Sequence, residues 1–205
     1  MFTLDLKLLL SCFVAFFALI NPIHKIFVVN SLQQQFDSKS LRIISVKSTL
    51  TALIVLIFFL ILGQFVFNYI FHIELYAFQI TCGVVLFYNG IAGLQSGVFI
   101  KLDKNLSIKD VTTVPVAIPM IAGPATITAA VTFPANYGYI ITVVSIIAAL
   151  LINLVFMLYA EKIGGLFNRF NIMNSLIRIF GLIVATIGVQ MILNGISGFV
   201  SKINV

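Results

Sequence analysis

Asn21-Pro22 and Gly123-Pro124 interrupt apolar runs of this 205-residue chain, and they are the residues best placed to do chemistry. Proline has no amide hydrogen to donate, clashes with the preceding turn and disfavours helix in the residue before it. Asn is a good N-cap and Pro suits the first helical position, so Asn21-Pro22 reads as the start of a helix inside an apolar run. Gly123-Pro124 reads the same way, with Pro115 and Pro119 unsettling the segment before it and Thr126 and Thr128 offering hydroxyls in the turns after it. Each helix start presents free N–H groups and about half a positive charge, a setting for a carboxylate, phosphate or other anionic group. The plainer alternative is a pair of proline kinks repaired by neighbouring helices.

The remaining polar residues divide by the work they could do. Asn89 and Asn194 are amides repeated in equivalent places and come second as substrate contacts; Gln64, Asn68, Gln79, Gln95, Asn153 and Gln190 suit ordinary interhelical hydrogen bonds. His24 and Lys25 follow the first break directly and are candidates for a proton or anion contact, although Lys25 could also snorkel to the inner surface. Gly90, Gly93 and Gly97, and again Gly188, Gly195 and Gly198, suit close helix approach. Glu74 and Glu161 fall at the ends of apolar runs, and no carboxylate lies within one, which argues against a divalent-metal carrier and a carboxylate proton relay. Cys12 and Cys82 form no CxxC or CxxH pair, so neither a disulfide framework nor a metal-ligand spacing is present.

The elements that position these residues follow from composition. The chain is 61% apolar and 9% charged, with mean hydropathy +1.17, against roughly half apolar and about a quarter charged for a soluble domain. A soluble globular protein and a disordered chain are both excluded. The net charge of +6 matters less than where its cations fall. Uncharged gaps of 17 residues (Lys7 to Lys25), 26 (Lys47 to Glu74), 26 (Glu74 to Lys101) and 23 (Arg178 to Lys202) each fit one membrane crossing of about 20 residues. The 50 residues between Asp110 and Glu161 fit two, joined by a turn at Pro134-Ala135-Asn136-Tyr137-Gly138. The expected spans are 8–30, 46–70, 75–97, 113–133, 139–160 and 177–200. A secretory signal at the N-terminus is not expected, since no cleavage-like site follows its apolar run. Lys39, Arg42, Lys47, Lys101, Lys104, Lys109, Lys162, Arg169 and Arg178 fall in loops one, three and five, with only Lys7 and Lys202 at the tails. The positive-inside rule then puts those loops in the cytoplasm and both termini outside.

The two halves resemble each other. Residues 81–93 read TCGVVLFYNGIAG and residues 186–198, offset by 105, read TIGVQMILNGISG, sharing an Asn-Gly and two flanking glycines in register. A nearby offset of 102 brings Asn21-Pro22 onto Gly123-Pro124. Three crossings are an odd number, so a second copy starts from the opposite side and the repeat is inverted, as in secondary transporters whose sites lie between the halves at paired helix breaks. In this topology the two half-helix N-termini would face each other across the midplane.

Asn21-Pro22-Ile23 with Ile26 and Ser31-Leu32, and PVAIPMIAGPATIT at 115–128, resemble the two signatures of the MarC family, also called UPF0056, of bacterial inner-membrane proteins. The similarity covers essentially the whole chain. Pro115, Ala117, Pro119, Ala122, Gly123, Pro124, Ile127 and Thr128 stand where the family has them. The chain departs from the family pattern at His24, Lys25 and Phe27, where Gly, a small or polar residue and Ile-Pro are usual, and at Ala125, where Gly is common. The resemblance implies a grouping with LysE-type exporters of amino acids and a bacterial inner-membrane location.

These readings give an all-α polytopic membrane protein. Residues 1–205 form one membrane domain of six helices, two inverted three-helix repeats (1–100 and 101–205) with broken helices in spans one and four. The expected function is secondary transport or export of a small anionic or zwitterionic, amino-acid-like metabolite, with both termini periplasmic. The substrate residues are Asn21, Pro22, Gly123, Pro124, Thr126 and Thr128, then Asn89 and Asn194. No catalytic residue, metal or cofactor is expected; the partners are the lipid bilayer and a small molecule, not nucleic acid, with a homo-oligomer allowed. One alternative is a structural or accessory membrane subunit. Another is a thiol-redox carrier using Cys12 and Cys82, against which stand the missing CxxC and the missing flavin or quinone motif.

Overall fold

The computed structural model describes residues 5–33, 35–70, 72–96, 121–169 and 173–203, and these are all helix and short connection, with no strand among them. Five helical segments are long and apolar enough to cross a membrane: Leu6–Asn30, Ser38–Gly63, Tyr76–Gln95, Tyr139–Leu158 and Arg178–Ile203. They match five of the six expected spans. Of the fourth span, residues 113–120, with Pro115 and Pro119, lie outside the described residues, as do Gly97 and the basic loop of Lys101, Lys104 and Lys109.

The chain divides into two compact units, Met1–Gly63 with Leu102–Ile163, and Gln64–Lys101 with Gly164–Val205. Each draws on both halves of the sequence. The first unit holds α1 (Leu6–Ile20), α2 (Pro22–Leu32), α3 (Ser38–Phe65, to Gly63), α5 (Pro124–Tyr137) and α6 (Tyr139–Leu158). Asp5 caps α1 by accepting from the Lys7 amide at 3.0 Å, and Asp37 caps α3 by accepting from the Ser40 amide at 3.2 Å. That cap explains why α3 begins well before the apolar run at residue 46: its first turns form a polar head on a membrane helix. Phe16 of α1 meets the edge of Phe133 of α5 at 5.2 Å, and α1 and α2 both pack on α6. Gly63 lets α3 approach Val131 of α5, whose methyl would lie 2.3 Å from any β-carbon there.

The expected five-residue turn contracts to one residue. Helix α5 continues through Pro134 to Tyr137, and Gly138, at φ 81°, alone separates it from α6. Pro134 lies in the last turn of α5, where its ring forgoes one bond and the Gly138 amide still closes on the Pro134 carbonyl at 3.0 Å. The φ of Gly138 belongs to a region glycine enters without strain.

The second unit is built on α4 (Leu75–Ser96) and α8 (Met173–Ile203); a π-helical turn, Val66–Ile70, precedes α4, and α7 (Ala160–Arg169), which belongs to the first unit as far as Ile163 and to the second from Gly164, precedes α8. Here glycines set the packing. A β-carbon on Gly83 would stand 2.6 Å from the Gly188 carbonyl oxygen, and one on Gly188 2.6 Å from that of Gly83. Gly90 meets Gly181 and Ala185 in the same way, and Gly195 meets Tyr76 and Ile80. Partners rise along α4 as they fall along α8, so the helices are antiparallel. Tyr76 and Ile80 stand 105 residues before Gly181 and Ala185, so exchanging the halves reproduces the contacts. An exposed ion pair of Glu74 with Lys202 closes the end of this helix pair.

Candidate functional site

The first break is one residue wide. Asn21 takes a left-handed conformation (φ 52°, ψ 69°), which Asn tolerates better than most side chains. Its own amide donates to the Phe17 carbonyl at 3.0 Å, closing α1, while its side-chain oxygen accepts from the His24 amide at 3.3 Å, opening α2 with Pro22 at the first position. One residue thus ends one helix and begins the next. The first turn of α2 carries His24 and Lys25, and both are buried, at 6% and 3% exposure. Lys25 therefore does not snorkel to the surface. The described residues contain a single ion pair, Lys202 with Glu74, and none for Lys25.

The second break is built differently. Gly123 is extended (φ −73°, ψ 170°) and offers no capping side chain, Pro124 opens α5, and the Ile127 amide donates to the Gly123 carbonyl at 2.8 Å. The Thr126 hydroxyl reaches back across the break to donate to the Ile121 carbonyl at 3.1 Å, so it satisfies backbone freed by the interruption. The Thr128 hydroxyl, in a residue at 7% exposure, has no hydrogen-bond partner among the described residues. Of the two threonines, then, one repairs the break and one is left available.

Both breaks belong to the first unit; Asn89 and Asn194 belong to the second. Asn194 is exposed and accepts from the Gln190 side chain at 2.9 Å along its own helix, and Asn89 is half-buried on α4. Cys12 and Cys82 are buried and free, the first with its thiol toward the hydroxyls of Thr142 and Ser145. No group of three or more His, Cys, Asp or Glu side chains that could hold a metal occurs among the described residues.

A family model described as the MarC family integral membrane protein matches residues 6–200, both breaks included. The chain belongs to the MarC family. It is 34% identical over 195 residues to a UPF0056 membrane protein of Pyrococcus horikoshii, covering 95% of this chain and 96% of that one. It is 32% identical to a UPF0056 membrane protein of Methanocaldococcus jannaschii (94% and 88% covered), and 27% identical to the UPF0056 membrane protein YvbG of Bacillus subtilis (91% and 92%). No solved structure matches the chain.

This MarC-family chain also buries polar groups that sequence reasoning passed over or placed elsewhere. Among the described residues the Asn30 side chain on α2 has neither its oxygen nor its nitrogen paired. Asn153, fully buried on α6 and one of the amides suited by sequence to interhelical bonds, instead donates from its amide to the Met157 sulfur of its own helix at 3.4 Å, and its oxygen is unpaired among the described residues. The signal available in the sequence was an amide inside an apolar run, which does not say whether a partner helix will answer it.

Proposed function

We propose that this MarC-family protein is a secondary transporter or exporter of a small anionic or zwitterionic metabolite, acting across the bacterial inner membrane. The observation that carries the reading is Lys25, a buried lysine with no carboxylate partner among the described residues. Burying a charge is costly unless it is paired, and a cation in the first turn of a helix also opposes the positive end of that helix. Neither placement helps a fold. An anionic substrate group arriving beside α2 would relieve both. Asn21, Pro22, Gly123, Pro124, Thr126 and Thr128 shape the two helix starts, the unpartnered Thr128 hydroxyl is free to meet a substrate, and Asn89 and Asn194 are secondary contacts. The reciprocal glycine contacts of α4 and α8 support an inverted repeat, which in a six-span protein would set the two half-helices in opposite directions.

Metabolite profiling of cells lacking and overproducing the protein should single out a compound bearing a carboxylate or phosphate. With that compound in proteoliposomes, Lys25→Met is expected to lose roughly tenfold or more of transport, the scale of one charge-assisted hydrogen bond. The purified variant should be at least as stable as the parent, because an unpaired buried charge has been replaced by an apolar side chain. Undiminished transport by Lys25→Met would overturn an anion site at α2, whereas no transport by the parent protein itself would favour an accessory subunit. Orientation has its own check. In a background lacking Cys12 and Cys82, a cysteine replacing the exposed Asn136 should react with an impermeant thiol reagent on intact cells, and one replacing Ser38 should not.

A further inference from the structure

Away from the helix breaks, the first unit has a cavity of about 520 Å³ where the start of α3 meets the junction of α6 and α7. Its floor is apolar and buried: Val29, Leu41 and Met157. Its rim is cationic, with Lys39, Arg42 and Lys162 all exposed, against a single carboxylate, the half-buried Glu161. The Lys162 ammonium stands 5.6 Å from the centre of the Tyr159 ring, a cation–π contact that keeps its charge at the rim. The nearby N-terminus of α3 does not supply the positive field, since Asp37 already caps it; the bonds to Ser40 hold the Asp37 carboxyl below the usual carboxylate range, so it stays charged. Any anion here is drawn by side chains.

Three cations outnumber Glu161 in the lining and Asp37 beside it, which leaves a positive site for an anion, and its setting says which anion. Leu158 lines the cavity and shares one stripe of α6 with Val155 and Leu151, spaced by three and four residues; these are 37% to 57% exposed on a membrane-spanning helix. An apolar track therefore leads from the cationic rim along the lipid-facing surface. We propose that this cavity binds the phosphate of an anionic phospholipid, whose acyl chain lies along the Leu151–Val155–Leu158 stripe. Basic pockets beside membrane helices recognise anionic headgroups by this combination of charge and adjoining apolar surface. Under the orientation read from the Lys/Arg count, the lipid belongs to the cytoplasmic leaflet. The site is independent of transport and stands or falls apart from it.

The test is retention of lipid by the purified full chain, read by native mass spectrometry after equilibration with mixed micelles of phosphatidylglycerol and phosphatidylcholine. The parent should retain phosphatidylglycerol in preference. Each Lys or Arg near an anionic lipid surface contributes about fivefold, so Lys39→Gln, Arg42→Gln and Lys162→Gln together should reduce that preference about a hundredfold. Removing three cations elsewhere, by Lys7→Gln, Lys47→Gln and Arg178→Gln, should leave it nearly unchanged. Should the triple variant fail to fold, Glu161→Gln tests the same site in the opposite sense, with retention expected to rise about fivefold. Equal retention by parent and triple variant, or no gain in the Glu161→Gln protein, would overturn the proposal. So would displacement of the lipid by millimolar inorganic phosphate, which would make this a site for a soluble anion.

Discussion

The two units of the molecule solve the problem of packing helices in a membrane in opposite ways. In α4 and α8, backbone lies against backbone: Gly83, Gly90, Gly181, Gly188 and Gly195 leave no room for a side chain, and contact is reproduced when the halves are exchanged. Lipid tails are as apolar as leucine, so such close approach, gaining dispersion contacts, is what holds a membrane helix pair together. In the unit containing α1, α2, α3, α5 and α6, helices are interrupted at Asn21 and Gly123, and Asn30, Thr128 and Asn153 bury polar atoms without partners. The difference is the one expected if the first unit holds the proposed site and the second serves as scaffold. A pair with no slack is suited to holding one arrangement, while broken helices with unanswered polar groups are suited to meeting something that comes and goes.

The comparison is broken most severely at the glycine pair. Gly188→Leu places a side chain where the Phe87 amide nitrogen and the Gly83 carbonyl already stand at 2.5 and 2.6 Å from a β-carbon, and backbone cannot move aside as a side chain end can. The expected result is loss of the monodisperse folded protein, beyond the roughly 1–3 kcal/mol of ordinary overpacking. The control is Gly165→Ala in α7, where nothing lies within 4 Å; it should be neutral or gain up to about 1 kcal/mol from helix propensity. Size-exclusion profiles and thermal unfolding of the two variants distinguish steric necessity from mere glycine content. If Gly188→Leu folded normally, the α4–α8 pair would have the slack denied to it here.

A smaller effect is expected at the first break. Asn21→Ala removes the cap on the His24 amide and puts a β-carbon with no polar compensation into a left-handed conformation, so it should cost about 2 kcal/mol. Asn21→Gly keeps that conformation cheaply and loses only the cap, so it should cost less than about 1 kcal/mol. Equal losses in thermal or denaturant unfolding would show that the backbone conformation at residue 21 is not what selects Asn.

The breaks were legible in the sequence because proline and its preceding residue act locally: Pro22 lacks an amide hydrogen inside an apolar run, and it disfavours helix at Asn21, a residue suited to cap the helix that follows. Five crossings were legible for a similar reason, since charge gaps and bilayer thickness are nearly all that decides them. Span ends were less so. Asp37 starts α3 inside what composition marks as loop, and Pro134, which composition marks as a turn, stays helical because it falls in the last turn of α5. The grouping of helices into units was not legible, because the glycines of 81–93 and 186–198 announce close approach without naming the partner. The sequence leaves Lys25 open between a proton or anion contact and a residue that reaches the surface, and only packing around α2 shows it buried. Whether a buried polar atom finds a partner depends on side chains distant in sequence, so Thr126 and Thr128 look alike on paper and differ in the fold.

That last pair gives the finest cut between repairing a break and serving a substrate. Thr126→Val removes the donor to the Ile121 carbonyl and leaves a backbone acceptor unsatisfied inside the protein, so stability should fall by about 0.6 kcal/mol, the average for a hydrogen bond between membrane helices, or somewhat more. Thr128→Val removes a buried hydroxyl that has no partner, so stability should hold or rise slightly. Transport should respond in the reverse order. If the Thr128 hydroxyl is kept for a substrate group, Thr128→Val should lower transport several-fold through the apparent affinity, and Thr128→Ser, which retains the hydroxyl, should recover most of it. Thr126→Val, whose hydroxyl is already committed to Ile121, should transport nearly as well as the parent wherever it folds. Unfolding midpoints and proteoliposome uptake measured on the same three preparations test both orders at once. A Thr128→Val protein as active as the parent would place Thr128 with the residues that merely fill α5, and the distinction drawn between the two threonines would not survive.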